Sequence, residues 1–299
     1  MRLELAGSLV LPEPVILTFY PDKSGIPHVD FDTQKYIDLG YIHFDVICIG
    51  GGGGMGGGID TVNTGTLVRN YGGAGGGGGF HRVQGLLSAL PSLCLVVVGV
   101  GGALGTENNG SNPALTTDGG DGGPSSFNDP ACRASGGKGG KRAQTNSLTV
   151  TTQANGGAGG VGNHTGAGGG ATGGIAGTPT ATGPGTPGSS GVDGTFSQGI
   201  GQGGGGGAGG VGKYPSPGVT CVAATNGGRG SYNPGDTSVY GPGDTPDNDP
   251  SSGSPSIIPG GASGAKASPL NKLPYLFGQS KGQRLPGDPG VVILRLTAE

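Results

Sequence analysis

The sequence predicts a mainly β protein with almost no α-helix. A small β-sheet base formed by N- and C-terminal strands carries a long glycine-rich region of polyglycine II-like extended helices and loops. Three observations predict this. First, 75 glycines and 23 prolines make up about a third of the 299 residues, and a glycine inside a helix costs about 1 kcal/mol relative to alanine. Second, the apolar runs are short, strand-like and placed towards the two ends of the chain. Third, glycine recurs at every third residue through much of the middle, which is the repeat of the polyproline II conformation.

In chain order, strands are expected at Arg2 to Leu5, Val15 to Tyr20 and Tyr41 to Ile49, separated by Pro12, Pro14, Pro21 and Pro27. The strongest is YIHFDVICIG, where Ile42, Phe44, Val46 and Cys48 share one face and Tyr41, His43, Asp45, Ile47 and Ile49 the other. Further strands are expected at Thr64 to Asn70, Phe80 to Leu87 and Leu93 to Val98, the last apolar on both faces and so read as lying mid-core. After Pro289 the chain ends in GVVILRLTAE, so the two ends are expected to meet in one sheet system. The middle is then a closed excursion.

Within that middle, Gly156, Gly159, Gly162, Gly168, Gly174, Gly177 and Gly183 keep a three-residue step, with Thr165, Ala171 and Thr180 at the skipped positions. A second phase follows at Gly185, Gly188, Gly191 and Gly194. Such a backbone makes no internal hydrogen bonds, so its N–H and C=O groups need partners on neighbouring passes, which glycine alone allows to approach. Collagen requires an unbroken repeat, and the interruptions and phase change argue against it. Disorder is the compositional rival, but a net charge of −3 lacks the repulsion of most disordered chains. From Lys213 to Ser256 the texture shifts to tyrosine, proline and aspartate. There Tyr214, Tyr232, Asp236, Tyr240, Asp244, Asp247 and Asp249 are candidate receptor contacts, since tyrosine gives contact area at low entropic cost and carboxylates accept hydrogen bonds from hydroxyls. A solvated, turn-rich loop is the competing reading. The expected organisation is an attachment segment at 1–40, a base at 41–98 with 289–299, a projection at 99–264, and a return linker at 265–288.

The remaining motifs argue against other chemistry. Sixteen basic and nineteen acidic residues with no basic patch give no electrostatic reason for nucleic acid as a partner. No apolar run is long enough to insert in a membrane, and the start lacks a signal peptide's apolar stretch. Gly51, Gly53 and Gly56 satisfy a dinucleotide-binding spacing but lead into more glycines instead of a helix. GAGGVGKY resembles a phosphate-binding loop, yet Tyr214 stands where the magnesium ligand belongs, and Pro215 and Pro217 block the helix. His28, His43, His81 and His164 are isolated, and Asp118 with Asp121 lacks a calcium loop's ligand set. No cofactor or metal is expected. Cys48, Cys94, Cys132 and Cys221 lack zinc spacing and read as small buried hydrophobes, with any pairing left open. Asp30 and Asp32 alternate with Val29 and Phe31, which suggests a strand's exposed face and no glycosidase pair. An enzyme is not expected.

YIHFDVICIGGGGG, YGGAGGGGGF, VVVGVGGALG, GGPSSF, ASGGKGG and the closing PGVVILRLTAE together resemble the glycine-rich minor tail proteins of tailed phages infecting actinobacteria. The resemblance covers roughly residues 41–299, and Gly290, Val291, Val292 and Arg295 follow that family's end motif. It implies a non-enzymatic tail-tip or tail-fibre component of the virion, docked on other phage tail-tip proteins. It also implies contact with a host cell-envelope glycan or glycolipid, and a homo-oligomer, a trimer being the habit of fibres. The carry-over is of architecture and not of site residues. A purely structural tail spacer is the alternative. Mycobacterial cell-surface proteins with glycine repeats share the texture, but begin with a helical domain that Pro12, Pro14 and Pro21 would break.

Overall fold

The structure is a computed structural model and describes residues 11–21, 28–54, 56–63, 66–70, 75–76, 78–106, 116–142, 211–214, 287 and 289–299. Eleven strands are present among them: β1 (Val15–Phe19), β2 (His28–Asp32), β3 (His43–Ile49), β4 (Ile59–Asn63), β5 (Thr66–Asn70), β6 (Phe80–Leu86), β7 (Leu93–Val97), β8 (Ser125–Phe127), β9 (Cys132–Ala134), β10 (Val211–Tyr214) and β11 (Val291–Thr297). One six-residue helix, α1 (Thr33–Asp38), follows β2. The mainly β fold, nearly free of helix, is therefore present.

The strands form three antiparallel sheets, ordered β1-β11-β3-β6, β2-β7-β8-β9 and β10-β5-β4. The two chain ends do meet: β11 lies between β1 and β3, pairing Leu17 with Leu294 on one side and Val46 with Leu294 on the other. The first two sheets pack face to face. Phe44, Val46, Cys48, Val292, Leu294 and Leu296 from one sheet meet Phe31, Cys94, Val96, Phe127, Cys132 and Ala134 from the other in a single buried cluster. Burial of such apolar faces, at about 25 cal/mol per Å², is what holds this small sandwich together. Helix α1 closes one end, its N-terminus capped by Asp32, which accepts from the Lys35 N–H at 3.1 Å. Tyr36 of α1 stacks on Phe31, ring centres 5.0 Å apart.

Several expectations need correction. Strand β7 is buried on one face only: Cys94 and Val96 face the core, while Leu93 and Leu95 are exposed beside Asp32 and Asp30 of β2. The strand is an inner one, between β2 and β8, and contributes to the core as expected, but its second apolar face is not covered. Ile59–Asn63, where no strand was expected, form β4 and pair with β5. Residues 125–134, placed in the projection, form β8 and β9 and belong to the core. Residues 15–38, placed in a separate attachment segment, likewise supply β1, β2 and α1 to the sandwich. The expected strand at Arg2 to Leu5 lies outside the described residues.

Candidate functional site

Among the described residues, six glycine-rich runs leave and rejoin the sandwich at one end. Run A (residues 50–58) continues from β3 and run B (75–79) leads into β6. Run C (99–106) continues from β7 and run D (116–123) leads into β8. Run E (135–142) continues from β9 and run F (287–290) leads into β11. Their hydrogen bonds run between passes and step by three residues. Gly51, Gly54 and Gly57 of run A donate to the carbonyls of Gly123, Gly120 and Thr117 of run D. Gly50 and Gly53 donate to Gly79 and Gly76 of run B, and run A accepts from Gly102, Gly137 and Gly140. This is the inter-pass pairing that a three-residue repeat requires.

The same step sets the steric requirement. A Cβ on Gly50, Gly53 or Gly56 would overlap the carbonyl oxygens of Ser135, Lys138 and Lys141 in run E. One on Gly54 would overlap the Ala103 carbonyl of run C. Since the obstacle is backbone, no side-chain movement relieves it. Positions pointing away from the bundle tolerate side chains: run C buries Gly99, Gly102 and Gly105 but exposes Val100, Ala103 and Thr106.

The registers fix direction. Runs C and E are parallel to run A, while B, D and F are antiparallel to it, because residues 51 and 54 meet 100 and 103 as well as 137 and 140 in rising order. Among the described residues, B, E, D, C and F surround run A in that order. At a polyproline II rise, run A spans roughly 25 Å. Among the described residues the chain thus leaves the sandwich three times through one end, as runs A, C and E, and returns to it as runs B, D and F.

Runs D and E carry a charged ladder with the same step of three. Lys138 pairs with Asp121 at 2.7 Å and Lys141 with Asp118 at 2.8 Å. The second oxygen of each carboxylate accepts from the next backbone N–H, Gly139 for Asp121 and Arg142 for Asp118, both at 2.9 Å. Partial burial pushes these carboxyls up, but the lysine and backbone donors outweigh it and hold both below the usual carboxylate value. The Asp118 carboxylate holds the Lys141 ammonium above its ordinary value. Asp118 and Asp121 are thus bundle fasteners. Sequence reading missed this role, although the shared spacing of Asp118/Asp121 and Lys138/Lys141 was the available signal.

Of the candidate receptor contacts, the backbone of Tyr214 is placed in β10, opposite Leu67 of β5. Residues 211–214 belong to the third and longest excursion, so their pairing joins it to the β4–β5 hairpin of the first. Tyr232, Asp236, Tyr240, Asp244, Asp247 and Asp249 lie outside the described residues, as does the repeat from Gly156 to Gly194. The segment resembling a phosphate-binding loop is strand at Val211–Tyr214. Gly51, Gly53 and Gly56, with dinucleotide-binding spacing, lie in the bundle against other backbones. Among the described residues no three His, Cys, Asp or Glu side chains gather as metal ligands. No described helix is long and apolar enough to cross a membrane. At the sandwich, a polar concavity of about 310 Å³ is lined by His43, Phe44, Asp45, Gln84, Gly85, Arg295 and Thr297. Asp45 there is already paired with Arg82.

The family model for a glycine-rich domain matches residues 32–297, from the end of β2 to the end of β11. No curated protein matches the chain.

Proposed function

Since the chain belongs to the glycine-rich domain family, we propose that it is a phage tail-tip structural protein whose bundle presents loops for recognition of the host cell surface. The observation that carries this reading is the common direction of the three excursions. Each leaves the sandwich as an outgoing glycine run and comes back as an incoming one, a layout suited to presenting the segments between them beyond the bundle. Dense inter-pass hydrogen bonding makes the stem stiff, and a stiff stem lowers the entropic cost of presenting a loop. The longest excursion contains the tyrosine- and aspartate-rich segment from Lys213 to Ser256, suited to hydroxyl-rich envelope glycans or glycolipids. The sandwich docks on other tail proteins, and many copies per virion raise a weak single contact to useful avidity.

The test is adsorption of virions whose copy of this chain lacks residues 213–256, with tails checked by electron microscopy. Loss of adsorption by intact particles is the expected result. Unchanged adsorption would overturn the receptor reading and leave the chain as a spacer.

A further inference from the structure

Cys48, Cys94 and Cys132 are free, buried thiols. Two of them meet. Cys48, near the end of β3, and Cys132, at the start of β9, belong to opposing sheets, are both fully buried, and place their Sγ atoms 3.2 Å apart. Cys94 instead faces Thr33, with its Sγ 3.5 Å from the threonine hydroxyl. Beside the pair, the buried His81 ring accepts from the Arg133 N–H through Nδ1 at 2.9 Å.

We propose that Cys48 and Cys132 are an oxidation site that closes to an intrachain disulfide, covalently joining the two sheets of the sandwich at the foot of the glycine bundle. A disulfide needs its sulfurs about 2.05 Å apart, so closure asks for an approach of roughly an ångström, within reach of small side-chain rotations. The oxidant is a low-molecular-weight disulfide. The Cys132 thiolate attacks one of its sulfurs, forming a mixed disulfide and releasing one thiolate. Cys48 then loses its proton and attacks the Cys132 sulfur, forming the Cys48–Cys132 bond and releasing the second thiolate. Two protein thiols are oxidised, one disulfide is reduced to two thiols, and the two S–H protons end on the released thiols.

The surroundings suit this order of events. The hydrogen bond with the Cys48 thiol, opposed by burial and aided by His81, holds the Cys132 thiol below its usual value, whereas burial pushes Cys48 up. The pair therefore gives up its first proton readily and holds its second. Access comes through β9, which is three residues long and at the edge of its sheet, the kind of element that opens locally at low cost. The bond would span 84 residues and enclose runs A to D.

The test exposes the folded full-length chain to glutathione disulfide, and separately refolds the reduced, denatured chain in the same buffer. Each sample is acid-quenched, alkylated, digested and mapped by mass spectrometry. The expected result is a peptide pair linked through Cys48 and Cys132, two hydrogens lighter than its reduced form, in the refolded sample at least. A rise in thermal midpoint of roughly 10 °C, reversed by dithiothreitol, should accompany it. Alkylation of both residues in the refolded chain, arrest at a glutathione adduct on Cys132, or linkage through Cys94 in place of Cys48 would overturn the proposal.

Discussion

Individual glycines in the bundle are required for the space they leave. A Cβ at Gly54 collides with the Ala103 carbonyl, and a backbone obstacle puts the cost at the upper end of overpacking, about 3 kcal/mol or more. Gly54→Ala is therefore expected to lower the urea midpoint sharply, while Ala103→Gly, at an exposed position one run away, should cost about 1 kcal/mol or less. Equal effects of the two changes in denaturant unfolding would contradict the assigned facing. The ladder carboxylates give a pH signature. Their folded pKa values are depressed, so their contribution is present above the unfolded value near 3.9 and is lost as pH falls through the lower folded values. Both pairs are largely exposed, so each is worth under about 1 kcal/mol. In urea titrations at pH 7 and pH 3, the double variant Asp118→Asn, Asp121→Asn should show a smaller acid loss than the parent. An undiminished loss would place the acid sensitivity elsewhere.

At the scale of elements, β11 ties the chain's end into the middle of a sheet, and Leu294 packs there fully buried. Leu294→Ala should destabilise by about 2–5 kcal/mol, whereas the exposed neighbour Arg295→Ala should change the unfolding midpoint little. Strands β1, β3 and β11 were legible because alternation or β-branched density marks them directly. Helix α1 was not, since six residues are too few to show helical periodicity, and only Asp32 as a cap announced it. The bundle was legible as a kind of packing but only partly in its location: runs C, D and E fall inside the expected projection at 99–264, whereas runs A, B and F fall outside it. An unbroken run such as residues 50–54 contains every phase of a three-residue repeat and so displays none, whereas the interrupted repeat from Gly156 onward shows its phase openly. Strands β8 and β9 are three residues each, too short for a pattern, and acquire their burial from partners far away in sequence. The meeting of Cys48 with Cys132 has the same non-local origin, as does the pairing of Asp118 with Lys141.

The whole molecule joins a sandwich, closed by both chain ends, to a bundle through which three excursions pass in a common direction. Recognition is assigned to the longest excursion, and the adsorption of virions lacking residues 213–256 tests that assignment. The stem itself makes a separate demand: its glycines must be held by one another, not merely permitted by composition. Amide hydrogen exchange of the folded chain, resolved to single residues, tests this most directly. The account expects the amides of Gly51, Gly54, Gly120, Gly123, Gly137 and Gly140, all bonded between runs, to exchange on the slow scale of Val46 and Leu294 in the paired core strands. Exchange of those glycines at the rate of an open chain, with β3 and β11 still protected, would contradict it, because the sandwich would then stand without a bundle.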